Sequence, residues 1–368
     1  MKKTLVALAV AGVIAPVAQA DNVMIYGRID TSLDYTKVQD GGHSKGLSNN
    51  YSRFGLRGEE NVGNGLVAEF QIENAIDSTG GVAAGMDRRD TYVGIKGDSF
   101  GKVRLGLVST PTFSLFLGTT GVFDEVARAS YTDNGSVGVQ ASKHLSAIGD
   151  LGQRISQSVY YRTPDIAGMG FADIQLSKGD VQNVPTAITG VNSTVNGSVS
   201  RVIDGRIQYG LDSSPLTVGL GVRSAKEVTT DNNNNIFLLA AKYKYNTLFN
   251  IAAAYERDDY KAGVFGYGAA NTKADKGYIT GQYNLNQNSA LIGSLGYAGN
   301  LKVDGTTKAD TGARQYTMGA QYDLSNRTRV YGYYTKLDNK DSAGYSIINN
   351  APAGKDNDAF VVGVRHVF

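Results

Sequence analysis

Ala359-Phe360-Val361-Val362-Gly363-Val364-Arg365-His366-Val367-Phe368 closes the chain, and its reading decides the fold. Side chains alternate faces along a strand. Phe360, Val362, Val364, His366 and Phe368 therefore share one face, and Val361, Gly363, Arg365 and Val367 share the other. A chain that stops on an aromatic residue, in the middle of a strand, carries no tail to cover a sheet edge. That suits a sheet closed on itself, with the last strand pairing to the first and the terminal ring at a membrane interface.

The other end agrees. Residues 1–20 have a basic start (Lys2, Lys3), an apolar run from Leu5 to Val17 and a small-x-small ending, Ala18-Gln19-Ala20. This is the pattern of a secretory signal cleaved after Ala20, so the mature chain is expected to run from Asp21 to Phe368 as a single barrel domain. Cleavage takes Lys2 and Lys3 with it and leaves 34 basic residues against 34 acidic ones. A neutral balance argues against nucleic acid as a partner, which calls for a basic face. With no cysteine, disulfides, thiol chemistry and thiolate metal sites are excluded. Beyond the signal no apolar run approaches the ~20 residues of a membrane helix; the longest, Ile236 to Ala241, is the size of a strand.

The chain is rich in glycine (46) and tyrosine (22) and poor in proline (6). It lacks the 3.6-residue periodicity and continuous apolar segments of a soluble domain of this length. Strands with one face in lipid and one in water give such a mildly polar average. Candidate strands run over 23–35, 51–60, 66–76, 88–97, 102–109, 154–163, 170–178, 202–211, 216–225, 236–246, 248–258, 277–285, 289–299, 313–323, 328–337 and 359–368. The count is sixteen, even as in single-chain outer-membrane barrels. Short links such as Asn61–Gly65 and Asn246–Thr247 alternate with long polar ones such as Lys37–Asn50 and Thr110–Gln153. All long loops thus fall at one end of an up-and-down antiparallel barrel. The alternation holds within strands: Leu66, Ala68, Phe70 and Ile72 oppose Glu69, Gln71 and Glu73. Tyrosines near strand ends, among them Tyr26, Tyr35, Tyr160, Tyr243, Tyr283, Tyr322, Tyr331 and Tyr333, are candidates for interfacial girdles.

Several stretches resemble one family. Val23-Met24-Ile25-Tyr26-Gly27-Arg28-Ile29-Asp30 is similar to the opening of Gram-negative general porins, as is Ser52-Arg53-Phe54-Gly55-Leu56-Arg57-Gly58-Glu59-Glu60. The hairpin from Arg89-Asp90-Thr91-Tyr92 through Val103-Arg104-Leu105-Gly106, the strand Ser158–Pro164 and the final Gly363–Phe368 are similar too. The likeness spans the mature chain in order and is nearest to the neisserial, betaproteobacterial and vibrio-type branch. It implies an all-β, sixteen-stranded transmembrane barrel in the bacterial outer membrane, a homotrimer, with a water-filled pore narrowed by an inward-folded third long loop. It also implies outer-membrane lipid and lipopolysaccharide as surroundings. The C-terminal strand with Phe368 would serve as an assembly signal for the barrel-assembly machinery. The loop in the third position, Thr110–Gln153, is the longest connection, and a connection of that length is usually either functional or conceals a further element. The enteric Pro-Glu-Phe-Gly-Gly motif is absent; Phe113-Ser114-Leu115-Phe116-Leu117-Gly118 stands nearby.

Alternation puts Arg28, Arg53, Arg57, Arg88 and Arg104 on the lumen face of the first five strands, and the third loop supplies Asp124, Glu125 and Asp133. A basic wall facing loop acids sets a transverse field across a narrow opening, which sorts hydrated solutes by charge during passive diffusion. The same arginines could instead brace the wall through Glu59, Glu69 and Glu73. Arginines outnumber the loop acids, which leans the reading towards anions. No cofactor or metal is called for. Gly97-Asp98-Ser99-Phe100-Gly101 fits a nucleophile-elbow pattern, but strands flank it where that chemistry needs a strand-to-helix turn. His43, His144 and His366 have no partner at metal-ligand spacing. An outer-membrane hydrolase and a secreted all-β adhesin are the competing readings, a sugar-specific channel is a variant of the pore, and a plugged transporter is disfavoured by length.

Overall fold

The computed structural model describes residues 22–50, 52–79, 87–120, 154–181, 199–211, 213–227, 233–261, 270–347 and 352–368. Strands β1 (Asn22–Val38), β2 (His43–Asn49), β3 (Arg53–Gly63), β4 (Leu66–Ala75), β5 (Asp87–Gly97) and β6 (Gly101–Ser109) precede one helix, α1 (Pro111–Thr120). Then come β7 (Arg154–Arg162), β8 (Gly170–Val181), β9 (Val199–Tyr209), β10 (Leu216–Glu227), β11 (Asn233–Lys244), β12 (Phe249–Tyr260), β13 (Thr272–Asn284) and β14 (Ser289–Ala298). The chain ends with β15 (Lys302–Val303), β16 (Thr306–Thr307), β17 (Ala313–Asp323), β18 (Thr328–Asn339) and β19 (Asn357–Val367).

Every strand pairs antiparallel with its neighbour, and β1 pairs with β19 from Arg28↔Val367 to Val38↔Asn357, so the sheet closes. The wall has sixteen strands. β2 prolongs the line of β3 alongside β1, and β15 with β16 makes a two-residue hairpin set against the start of β13. Closure leaves no edge for another chain to pair with. The last residue takes part: Phe368 and Gly27 exchange backbone hydrogen bonds at 3.1 and 3.0 Å, and a Cβ on Gly27 would lie 2.3 Å from the Phe368 ring.

All sixteen strands expected from sequence are present. Their long-loop ends run further than the alternation of apolar residues shows, as at β13, which begins at Thr272, because polar strand residues continue the ladder beyond the lipid belt. Tight turns link the other ends; Asn64 and Gly65, between β3 and β4, both have positive φ (53° and 75°), as hairpin turns matched to strand twist require.

Outward positions are apolar and exposed, as in Val93, Ile95, Leu220, Leu295 and Met318. Exposed Tyr209, Tyr243, Tyr283 and Tyr322 mark the short-turn end, and Tyr35, Tyr255, Tyr297 and Tyr334 the long-loop end. These are the two girdles where a ring meets lipid and a hydroxyl meets water. Tyr26, Tyr160, Tyr331 and Tyr333 are not in them: their alternation parity turns them to the lumen, where Tyr160 donates to Asp173 at 2.9 Å and Tyr331 to Asp30 at 2.7 Å. Among the described residues no helix is long and apolar enough to cross a membrane. At the long-loop end Lys355 donates to Asp40 at 2.8 Å and holds that exposed carboxyl below its ordinary range.

Candidate functional site: the lumen

The lumen has two unlike halves. On β1–β9 the inward positions are charged. Arg28 lies buried on β1, 3.8 Å from Asp30, and donates to the Asn50 carbonyl at 3.3 Å. Glu73 of β4 is a hub: Arg53 stands 3.6 Å away, Arg89 donates at 2.5 Å and Tyr26 at 2.9 Å. Arg104 forks onto Glu69 at 2.6 and 3.3 Å and lies between two rings, Tyr92 at 4.2 Å and Tyr160 at 5.9 Å. Arg57 is exposed, 5.1 Å from the Tyr26 ring, with no carboxylate partner among the described residues.

Arg88 lies on β5 opposite Asn74, and its side chain is outside the described residues. Asp124, Glu125 and Asp133 are outside them too, with the third loop beyond Thr120. Four of the five arginines named from sequence thus gather on one wall. Arg89 joins them because of a bulge. Between the pairs Ile72↔Thr91 and Asn74↔Arg88, both Arg89 and Asp90 stand against Glu73 alone, and such an extra residue re-aims a side chain. Further along, Arg154 pairs with Asp90 at 2.8 Å and Arg206 pairs with Asp173. Strict alternation misplaces Arg89. Arg154 and Arg206 carry the same parity signal as the named arginines, in strands beyond the first five.

On β10–β12 the inward positions at mid-strand are small or apolar, including Gly219, Gly221, Leu238, Ala240, Ala252 and Ala254, and the charged Arg223, Lys242, Glu256 and Asp258 stand nearer the strand ends. Helix α1 packs there. Pro111 stands at its first position and the Thr110 hydroxyl accepts from the Phe113 amide at 3.2 Å, a proline-led, capped start. Phe113, Leu115 and Phe116 are at most 3% exposed, and Phe116 meets the Tyr278 ring edge-on at 5.4 Å. A Cβ on Gly219 would sit 2.3 Å from Leu115, so the approach requires glycine. Both helix ends are tied to the wall. Asp204 of β9 accepts from the Thr112 amide at 2.8 Å and its hydroxyl at 2.6 Å, and Lys242 of β11 donates to the Gly118 carbonyl at 2.7 Å. An acid at the N-terminus and a cation at the C-terminus complement the helix dipole. Near the long-loop mouth Ala343, Tyr345 and Ile347 join the same apolar cluster.

A closed sixteen-stranded wall, apolar outside and charged on one inner half, is the geometry of a water-filled channel through a membrane. The profile of the Gram-negative porin family matches residues 5–342. The chain belongs to that family. The porin is therefore an outer-membrane channel through which small solutes diffuse. It is 29% identical to outer membrane porin protein 32 of Delftia acidovorans, over all of both chains. It is 27% identical to an outer membrane porin protein of Bordetella pertussis, also over all of both. To the major outer membrane protein P.IB of Neisseria gonorrhoeae it is 27% identical, over 89% of this chain and 91% of the relative. Its fold is like that of the anion-selective porin from Comamonas acidovorans, with a TM-score of 0.72 over 94% of this chain and 99% of that one at 23% identity. It is also like the trimer form of OmpT from Vibrio cholerae, with a TM-score of 0.63 over 95% and 100% at 15% identity.

Proposed function

We propose that this porin is a general diffusion channel that prefers anions, with no enzymatic activity. One observation carries the reading. The inner half left open by α1 is the basic one, and its acids are taken up by arginines while Arg57 keeps its charge for the pore. In a narrow lumen with low-dielectric walls such an excess raises the local concentration of anions. Arg28, Arg53, Arg57 and Arg104 line the pore in this reading, with Arg89 in the inward place that strict alternation assigns to Arg88, facing Asp124, Glu125 and Asp133 of the third loop, which opens with α1. The likeness to an anion-selective porin supports the same sign. A sugar-specific channel would need an aromatic track facing the water, but lumen Tyr160, Tyr278, Tyr331 and Tyr333 are buried.

The mature chain in this reading is the single domain that follows Ala20. It assembles as a homotrimer among outer-membrane lipid and lipopolysaccharide, and the barrel-assembly machinery receives it through the C-terminal strand ending in Phe368. The trimer form of a relative supports the assembly. The test is planar-bilayer recording of the purified protein under a potassium chloride gradient. Closure in thirds and an anion-signed reversal potential are expected. A cation-signed potential overturns the preference, and a folded protein without conductance overturns the pore reading.

A further inference from the structure

Three consecutive register partners at the short-turn end of the basic wall are cations. Lys96 of β5 stands opposite Lys102 of β6, and Lys102 stands opposite Arg162 of β7. All three share the lumen parity of Tyr92, Arg104 and Tyr160, and each lies within a residue or two of a tight turn. Directly opposed like charges destabilise a sheet. Other like charges also face each other on this wall, as Arg28 does Arg53, but there each has a carboxylate at hand, as do Arg89, Arg104 and Arg206. Here, among the described residues, only the ends of the row have acids. Lys96 meets Glu59 at 2.6 Å, and Arg162 reaches Asp165 at 3.9 Å, a separation at the limit of an ion pair, while Asp173 opposite it on β8 is taken by Arg206 and Tyr160. Lys102 makes no ion pair or hydrogen bond with a carboxylate among the described residues; Glu69, whose field it feels, is engaged by Arg104.

The row is also held in place. The Arg162 guanidinium lies 3.4 Å from the centre of the buried Phe171 ring, which Arg206 approaches at 4.7 Å. A guanidinium stacked on an aromatic face keeps its N–H edge free to donate in the ring's plane. Side chains of cross-strand neighbours spring from Cβ atoms ~4.5–5.5 Å apart, so Lys102 and Arg162 can converge on one compact ion. A monovalent ion would neutralise only one of them.

We propose that Lys102 and Arg162, with Lys96 beside them, form a discrete binding subsite for a free divalent oxyanion of the phosphate class at the short-turn mouth of the pore. The row faces the lumen, so the ion comes from solution and not from lipid. The subsite rests on the channel reading above and lies apart from the wall at Arg28, Arg53 and Arg57. An ion held there occupies the path of others, so phosphate behaves as a saturable blocker of chloride current.

The experiment records chloride current through the purified protein at pH 7 while potassium phosphate is added to each side in turn. Saturable block is expected, at lower concentration from the side of the short turns. In Lys102→Gln/Arg162→Gln the half-blocking concentration is expected to rise about tenfold, with the reversal potential keeping its sign. Arg162→Lys should lie between, and Arg314→Gln, on an outward position of β17, should match the parent. Sulfate should block like phosphate and acetate should not. Equal block by acetate, or an unchanged half-block in the double variant, overturns the subsite while the channel reading stands. Loss of current in the parent protein would instead overturn the channel itself. The heat-dependent gel shift of the folded barrel checks the folding of each variant, and Lys102→Gln alone serves as the test if the double variant does not fold.

Discussion

Replacing Asp204 with alanine tests whether α1 is a fixed part of the pore. Asp204 is fully buried on β9 and accepts two hydrogen bonds from Thr112, one from its amide and one from its hydroxyl. It is also the register partner of Arg223 of β10, itself 6% exposed. Truncation therefore leaves a buried amide and hydroxyl without their acceptor and removes a carboxylate whose field acts on Arg223. The two hydrogen bonds from Thr112 to this carboxylate are together worth about 3–5 kcal/mol. Referred to the docking of α1, that is a factor of about a hundred to a few thousand in the ratio of docked to undocked helix. The wall is unaffected, because its ladder is backbone and Asp204 contributes only a side chain to the lumen. Phe113, Leu115 and Phe116 still bury their side chains, each worth about 1.5–3 kcal/mol, and Lys242 still holds the far end. The expected result is a barrel of nearly unchanged melting temperature whose single-channel current becomes noisy, with brief transitions between conductance levels. The Thr112 amide should exchange with deuterium far faster than in the parent. Asp204→Asn, which keeps an acceptor, should fall between. A quiet Asp204→Ala trace with a protected Thr112 amide would refute the latch.

Three further outcomes follow from the same geometry. Arg57→Glu changes the lumen by two charges where no carboxylate compensates; at ~6 Å in water this is worth ~1.4 kcal/mol before salt screening, so the anion-to-cation permeability ratio should fall several-fold in bilayer recordings, and an unchanged ratio would remove Arg57 from the pore. Tyr331→Phe deletes the hydroxyl that donates to Asp30 at 2.7 Å and accepts from Asn50 at 3.0 Å, so thermal unfolding should show a loss of about 1–3 kcal/mol with selectivity retained. Gly27→Ala places a Cβ 2.3 Å from the Phe368 ring and 2.8 Å from the Arg53 carbonyl, so the folded fraction on a heat-shift gel should drop, and it should recover in part when Phe368→Ala is added.

The wall was legible in the sequence because the bilayer imposes a strict rule on it. An outward residue must suit lipid and its neighbour must suit water, which leaves a period of two in every strand. Arg53, Arg57 and Arg104 could be assigned to the lumen on that rule alone. Arg89 could not, because the bulge against Glu73 breaks the period where it turns inward. Helix α1 escaped for a different reason. Pro-Thr-Phe-Ser-Leu-Phe-Leu-Gly-Thr-Thr has no charged face to set off an apolar stripe, and a helix exposed mainly at Gly118 leaves no stripe to read. Its receptor is equally silent: Gly219 and Gly221 look like ordinary strand glycines until Leu115 and Thr112 are seen against them. The short β2 and the β15–β16 hairpin lie above the lipid belt, where no rule of alternation operates.

The neutral balance of the chain and a charge-selective pore are reconciled by where the acids go. Along β1–β9 most carboxylates are consumed locally: Glu69 by Arg104, Glu73 by Arg53 and Arg89, Asp90 by Arg154, Asp173 by Arg206. Such pairs are close to dipoles, whose fields fall off faster than those of net charges. On the opposite side Lys276 lies fully buried with Glu256 at 3.3 Å and Asp258 at 2.6 Å, out of contact with the water path. What the pore presents is the remainder, and among the described residues that remainder is cationic, at Arg57 and Lys102. The glycines and alanines of β10–β12 complete the division, since by accepting α1 they close the half of the lumen whose charged groups, such as Arg223, Glu256, Asp258 and Lys276, are buried. Selectivity then depends on a few unmatched side chains rather than on total charge, so single substitutions at those positions should move it while substitutions within the matched pairs act mainly on stability.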